Sequence, residues 1–399
     1  MYNFNRIGSR KGSGSLKWTA MAAHNGNLAP EITPFSAADM EFKNAPEIIQ
    51  AIKDFLDSDN GVLAYYGGYP AYYEAVVDWM ARRHNWNIEP DWIVDMNGVL
   101  PSLYVALAAF TKPGDNVIIV SPVYDPFYGI VGNNDRNIVT SSLVFKDGKY
   151  QMDFEDIERK AKDEKTTMIF ICNPHNPVGR VWTKEELTRL ARICIDNNVL
   201  IADDEAHHDL ILPGYKHTCL ASISEEIADH CVVFTAPSKG FNLAGMQNSS
   251  TIIKDPAMRK HYYDEVALGQ EHYTVSPLGY RACEAAYRYG EKWLDELIEV
   301  IDNNRKFMTD YLAKNIPEIK VMPMEGTYLI WLDCRELGMK YDELEKFMKE
   351  KALLYLDEGH MFGPEGDGFE RWNLACHVSV LEEALDRLKK AVDEWRKNK

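Results

Sequence analysis

Short apolar runs alternate with helical patterns through the middle of this 399-residue chain, and that alternation leaves few folds open. Strand candidates are Asn116–Val120, Ile138–Leu143, Thr167–Cys172, Val199–Asp203, Cys231–Thr235 and Ser249–Ile253. Between them lie helical patterns such as Pro101–Phe110, Phe154–Lys162 and Lys184–Asn197. The last is entered by Thr183 with Glu186 three residues on, a capping-box signature. Strands this short and apolar, joined by helical crossovers, predict an α/β fold with a mostly parallel sheet covered on both faces.

A long helical pattern over Tyr287–Lys314 leaves this unit. Beyond it come Ile319–Val321, Thr327–Asp333, a helix near Tyr341–Lys351 and a closing amphipathic helix over Leu381–Lys397. With the N-terminal segment these predict a smaller α+β domain, since the length suits two domains better than one core. The expected division is 1–45 as an N-terminal part of the small domain, 46–288 as the large domain and 289–399 as the rest of the small one.

The acidic balance, 61 Asp and Glu against 44 Lys and Arg for a net charge of −17, argues against a nucleic-acid partner. No window approaches eighteen uninterrupted apolar residues, so no membrane span is expected. The first thirty residues lack an apolar signal core. The seven cysteines are scattered, odd in number and without C-x-x-C spacing. They form neither a disulfide framework nor a zinc motif and suit a reducing cytoplasm.

Open α/β sheets bind ligands beyond the carboxyl ends of their strands, and here those ends carry unusual polar residues. Lys239 follows the apolar run Cys231–Thr235 among small residues; poor hydration there lowers an amine's pKa and readies it to attack an aldehyde. Asp204 ends another run and Asn176 stands between two Asn-Pro pairs, a stiff turn that presents its side chain in a fixed direction. Gly98 precedes a helix start, where bare N–H groups and the helix dipole favour a phosphate. One crossover unit separates each of Asn176, Asp204 and Lys239 from the next, so they can converge. Pyridoxal phosphate needs this set: an amine for its aldehyde, a carboxylate for its ring nitrogen, a donor for its ring oxygen and a phosphate seat. His207 is a candidate support and Tyr124 a candidate stacking ring. A competing reading makes His207, His208 and nearby carboxylates a metal site; the adjacent histidines point to opposite faces of a strand and no H-E-x-x-H spacing is present, so no metal is assigned.

The N-P-x-N-P-x-G, D-E-x-H and S-K-x-F-N-x-A-G motifs resemble those of fold-type I pyridoxal-phosphate enzymes, and within them the MalY/PatB subfamily of cystathionine and cysteine-S-conjugate β-lyases. The likeness runs nearly end to end, through Gly14–Trp18, Ala38–Phe42, Phe110–Asp115, Asn173–Trp182, Glu325–Tyr328 and Gly368–Asn373. The resemblance implies that Lys239 binds the cofactor covalently and then shuttles a proton, that Asp204 pairs with the ring nitrogen and Asn176 with the ring oxygen, and that Tyr124 stacks on the ring. It implies Val99, Leu100 and Ser238 at the phosphate, with Tyr65 reaching the phosphate of a neighbouring subunit and so a homodimer. Arg371, with Asn176 and Ala38, would meet the substrate, the arginine gripping its α-carboxylate. Departures exist: Gln247 replaces a common arginine, Gly240 a common threonine, Ala64 a usual glycine and His377 a familiar proline.

The implied reaction is α,β-elimination from a sulfur amino acid such as cystathionine, cysteine or another S-substituted cysteine, giving pyruvate, ammonia and a thiol. An aminotransferase of the same fold shares every step through Cα–H removal and remains the alternative. A regulatory protein-binding role would be an addition to catalysis.

Overall fold

The computed structural model describes residues 2–29, 32–268 and 274–398. In chain order its strands are β1 (Ile93–Met96), β2 (Asn116–Ser121), β3 (Asn137–Ser142), β4 (Val144–Lys146), β5 (Lys149–Gln151), β6 (Thr166–Cys172), β7 (Leu200–Asp204), β8 (Cys231–Thr235), β9 (Ser249–Ile252), β10 (Lys320–Val321), β11 (Leu329–Asp333), β12 (Asp357–Glu358) and β13 (Phe369–Asn373). Seven of them form one sheet in the order β1-β9-β8-β7-β6-β2-β3, parallel except for β9. A second, wholly antiparallel sheet has the order β10-β11-β13-β12, and β4 and β5 form a hairpin.

The uniform apolarity of the central strands follows from their two covered faces. Ile169 and Ile171 of β6 join one hydrophobic cluster, while Met168, Phe170 and Cys172 join another across the sheet. On the first face packs the helix Lys184–Asp196, through Leu187, Leu190 and Ala191. Thr183 and Glu186 close its start as a capping box, the kind of cap worth about 1 kcal/mol. On the second face packs the helix Val99–Phe110, through Leu103, Ala106 and Leu107.

Two expectations are revised. Ser249–Ile253 suggested another crossover strand, but β9 runs antiparallel to β8 because only the short helices Pro237–Gly240 and Ala244–Met246 separate them, too little chain for a crossover. The run Tyr287–Lys314 is not one helix: Pro277–Tyr289 and Glu291–Asn315 meet at Gly290. A Cβ on Gly290 would lie 2.6 Å from the Phe241 ring, so glycine here permits close packing against the segment that carries Lys239. The structure adds the N-terminal helices Leu16–His24, Pro46–Asp57 and Pro70–His84, and the strand β1, whose short apolar run is interrupted by Asp95.

The N-terminal stretch is threaded along the second sheet. The Phe35 N–H donates to Tyr355 O, Asn373 N–H to Phe35 O and Glu41 N–H to Ala375 O. Lys17, 2% exposed, pairs with Asp39 at 2.7 Å and Glu41 at 3.0 Å, which draws Gly14–Trp18 onto Ala38–Phe42.

Candidate active site

The carboxyl ends of β6, β7 and β8 and the start of the helix Val99–Phe110 meet at a cavity of about 310 Å³. Nine of the expected site residues line it: Ala38, Val99, Leu100, Tyr124, Asn176, Asp204, His207, Ser238 and Lys239. Their convergence follows from parallel strands, which all deliver their loops to one edge of the sheet.

Half-buried Lys239 donates from Nζ to the carbonyl of Ala38 at 3.0 Å. Burial first, and then the charge of Arg371, lower its pKa from 10.5 to about 8. Asp204, at the tip of β7, accepts the Ala206 N–H at 3.0 Å. Burial raises its pKa to about 6, opposed by that N–H and by Lys239. Burial likewise holds His207 neutral, with the Lys239 charge adding to the effect, and keeps the Tyr124 phenol protonated beyond its ordinary range.

Arg371 stands beside this group. Its Nη1 donates to Asn176 Oδ1 at 2.8 Å, and its Nη2 and Nε donate to Asp357 Oδ2 at 2.6 and 3.1 Å. Tyr65 is not among the lining residues; it stands 97% exposed on the surface, near exposed Val62 and Leu63.

A phosphate-bearing ligand fits the residues present. Gly98, at φ +149°, opens the helix, and the N–H groups of the first turn have no carbonyl a turn earlier to pair with. Asn248, 3% exposed, lines the same cavity with both amide atoms lacking a hydrogen-bond partner among the described residues. Such a buried orphan amide is suited to a ligand's oxygens. Sequence reasoning missed Asn248; its only signal was adjacency to Gln247, which also lines the cavity where an arginine is common.

The rival metal reading meets a geometric obstacle. His207 faces the cavity, while His208 lies stacked on His84 at 3.9 Å and 14°. His84, His208 and His217 do bring nitrogens within 4.8 Å of one another, but the carboxylates Asp209 and Glu205 already sit against these rings. Glu345, Glu358 and His360 also bring oxygen and nitrogen atoms within 4.8 Å of one another, but the Lys349 ammonium already pairs with both carboxylates.

The sequence model of the family "Aminotransferase class I and II" matches residues 30–388. The chain belongs to that family. Within the class I and II aminotransferases it is 39% identical to cystathionine beta-lyase PatB of Bacillus subtilis, over 98% of this chain and all of that protein. Among solved structures it is similar to cystalysin from Treponema denticola, which contains a pyridoxal 5'-phosphate cofactor, with a TM-score of 0.96 and 45% identity over 99% of this chain and all of that one. It is also similar to the pyridoxal-phosphate-bound C-S lyase from Staphylococcus hominis, with a TM-score of 0.88 and 29% identity over 98% of each chain. The fold is therefore the fold-type I arrangement of its class I and II relatives, a large mostly parallel sheet flanked by helices, with a smaller antiparallel sheet beside it.

Proposed function

We propose that this protein is a pyridoxal-phosphate-dependent carbon–sulfur β-lyase acting on cystathionine, cysteine or a related S-substituted cysteine. One observation carries the reading: an amine held near neutrality, Lys239, shares a cavity with a buried carboxylate, Asp204, and with orphaned phosphate-type donors. Bound pyridoxal phosphate would supply an aldehyde for the substrate's amino group and a ring to accept the electron pair left at Cα.

The chain's own residues do the rest. Arg371 binds the α-carboxylate and fixes which substituents of Cα face the amine. Lys239, its amine made easier to deprotonate by burial, takes the Cα proton as a general base. Asp204 would hold a proton at the cofactor's ring nitrogen, and Asn176 would donate to its ring oxygen. Tyr124, a protonated phenol, would flank the bound ring, and His207, a neutral imidazole, would support it. Val99, Leu100, Ser238 and Asn248 hold the phosphate. The thiolate that leaves Cβ takes a proton from the Lys239 ammonium or from Tyr124, and release and hydrolysis then give pyruvate and ammonia.

On this reading the large domain spans 46–288 and the small one 289–399 with the N-terminal 1–45, a division supported by the two separate sheets and by the bonds of Phe35 and Glu41 to the second. The active unit is a homodimer in which exposed Tyr65 serves the partner's phosphate. Among the described residues no helix is long and apolar enough to cross a membrane, and all seven cysteines are buried and free, which supports a cytoplasmic setting.

The test is to supply cystathionine or cysteine without a 2-oxo acid. Pyruvate with the matching thiol or sulfide supports the lyase. Rapid amino transfer to an added 2-oxo acid without pyruvate would reject it for the aminotransferase.

A further inference from the structure

We infer that Asp357 is a positioning residue for the substrate carboxylate, selecting which edge of Arg371 stays free to bind it; this rests on the role given to Arg371 above. A guanidinium carries five N–H donors in a rigid plane. Three are taken here, one from Nη1 by Asn176 and one each from Nη2 and Nε by Asp357. One N–H remains on each of Nη1 and Nη2, and because Asp357 occupies the Nε–Nη2 edge, the Nη1–Nη2 edge is the one left for a carboxylate's fork-to-fork contact. The Phe362 ring lies 4.6 Å from the guanidinium carbon and fixes the plane, while Asp357 fixes rotation within it.

The placement is built into the second sheet. Asp357 and Arg371 are paired across the β12–β13 ladder, so their side chains emerge on one face. Asp357 is itself anchored, accepting the Ala37 N–H at 3.0 and 3.1 Å. Ala37 has a left-handed φ of +56°, and its carbonyl accepts from Asn373 Nδ2 at 2.8 Å. The next carbonyl, that of Ala38, accepts from Lys239. Carboxylate clamp, N-terminal stretch and lysine thus form one chain of contacts.

Charge and position make opposite predictions. Removing the Asp357 charge leaves Arg371 with less opposing charge, so a purely electrostatic role would tighten carboxylate binding. Loss of positioning weakens it. The holoenzyme and its Asp357→Asn and Asp357→Ala variants are titrated calorimetrically with S-methyl-α-methylcysteine, which has no Cα–H to lose, and with its methyl ester. We expect the wild type to prefer the acid by at least tenfold. Asp357→Asn should lose roughly tenfold in acid affinity with ester affinity unchanged within twofold, and KM for cystathionine should rise with kcat changed by less than threefold. Equal weakening of acid and ester, unchanged acid binding, tighter acid binding, or a wild type indifferent to the carboxylate each overturns the inference. Should Asp357→Ala fail to fold, the isosteric Asn variant decides alone. Pyruvate release by the wild type is read separately, and its absence bears on the proposed reaction rather than on the clamp.

Discussion

Arg371 Nη1 and Asn176 Oδ1 are joined at 2.8 Å, a bond between the strand β13 and the turn beyond β6. Because the amide oxygen is engaged, the Asn176 amino group is left to donate into the cavity. The residue proposed to bind substrate therefore orients the residue proposed to bind the cofactor ring.

Arg371→Lys should reduce kcat/KM by roughly 10- to 150-fold, the equivalent of about 1.5–3 kcal/mol for hydrogen bonds to a charged group. An ammonium cannot reproduce a two-pronged contact, so the loss should fall mainly on KM. Steady-state kinetics of pyruvate release check this; an unchanged kcat/KM removes Arg371 from the clamp.

Lys239→Ala should lower turnover by at least roughly 100- to 10,000-fold, the range for loss of a general base. Borohydride treatment of the wild-type holoenzyme should fix the cofactor on the peptide containing Lys239, detectable by mass spectrometry. Label found on another residue would disprove the assignment.

The apoprotein should carry a pH signature of the same lysine. Its pKa is lowered on folding from 10.5 to about 8, so at and below pH 8 the folded state bears the full penalty of charging it. That penalty is at most about 3 kcal/mol, and it fades as pH rises from about 8 to 10.5. Lys239→Met apoprotein should be the more stable at pH 7, and its advantage should shrink over that window. Denaturant titrations at several pH values measure it; a constant difference would contradict the lowered pKa.

Lys17→Met should destabilise the protein, towards the lower end of the roughly 3–5 kcal/mol seen when one partner of a buried ion pair is removed. Glu41 stays buried at 6% exposure, with Arg10 and the Trp18 indole N–H as remaining partners. Faster proteolysis before residue 45 should accompany the loss of stability.

Asn248→Ala should weaken pyridoxal phosphate binding by roughly tenfold, one hydrogen bond's worth of about 1–1.5 kcal/mol, with little change in apoprotein stability because its side-chain amide has no partner to lose among the described residues. Absorbance titration of the apoprotein with cofactor reads the affinity.

Strands β2, β6, β7 and β8 at the centre of the sheet were legible because both faces are covered, which writes each as an apolar run ending near polar residues. Lys239, Asp204 and Asn176 could be found for the same reason: they sit at those endings. Less could be read where tertiary contact decides the outcome. Gly290 looks like any residue within a helical pattern until Phe241 is seen against it. Asp357 lies in a two-residue strand with no periodicity to announce it, and its meaning comes from Arg371 across the ladder. Asn248 carried no motif, only a position revealed once β9 turned back beside β8.

The seam between the helices Pro277–Tyr289 and Glu291–Asn315 is also a fulcrum. With no side chain at Gly290 to act as a spacer, any change of tilt there presses directly on Phe241, two residues from the reactive amine. Substitutions remote from the chemistry, along either of these helices, can therefore retune the catalyst without touching a single group that meets substrate.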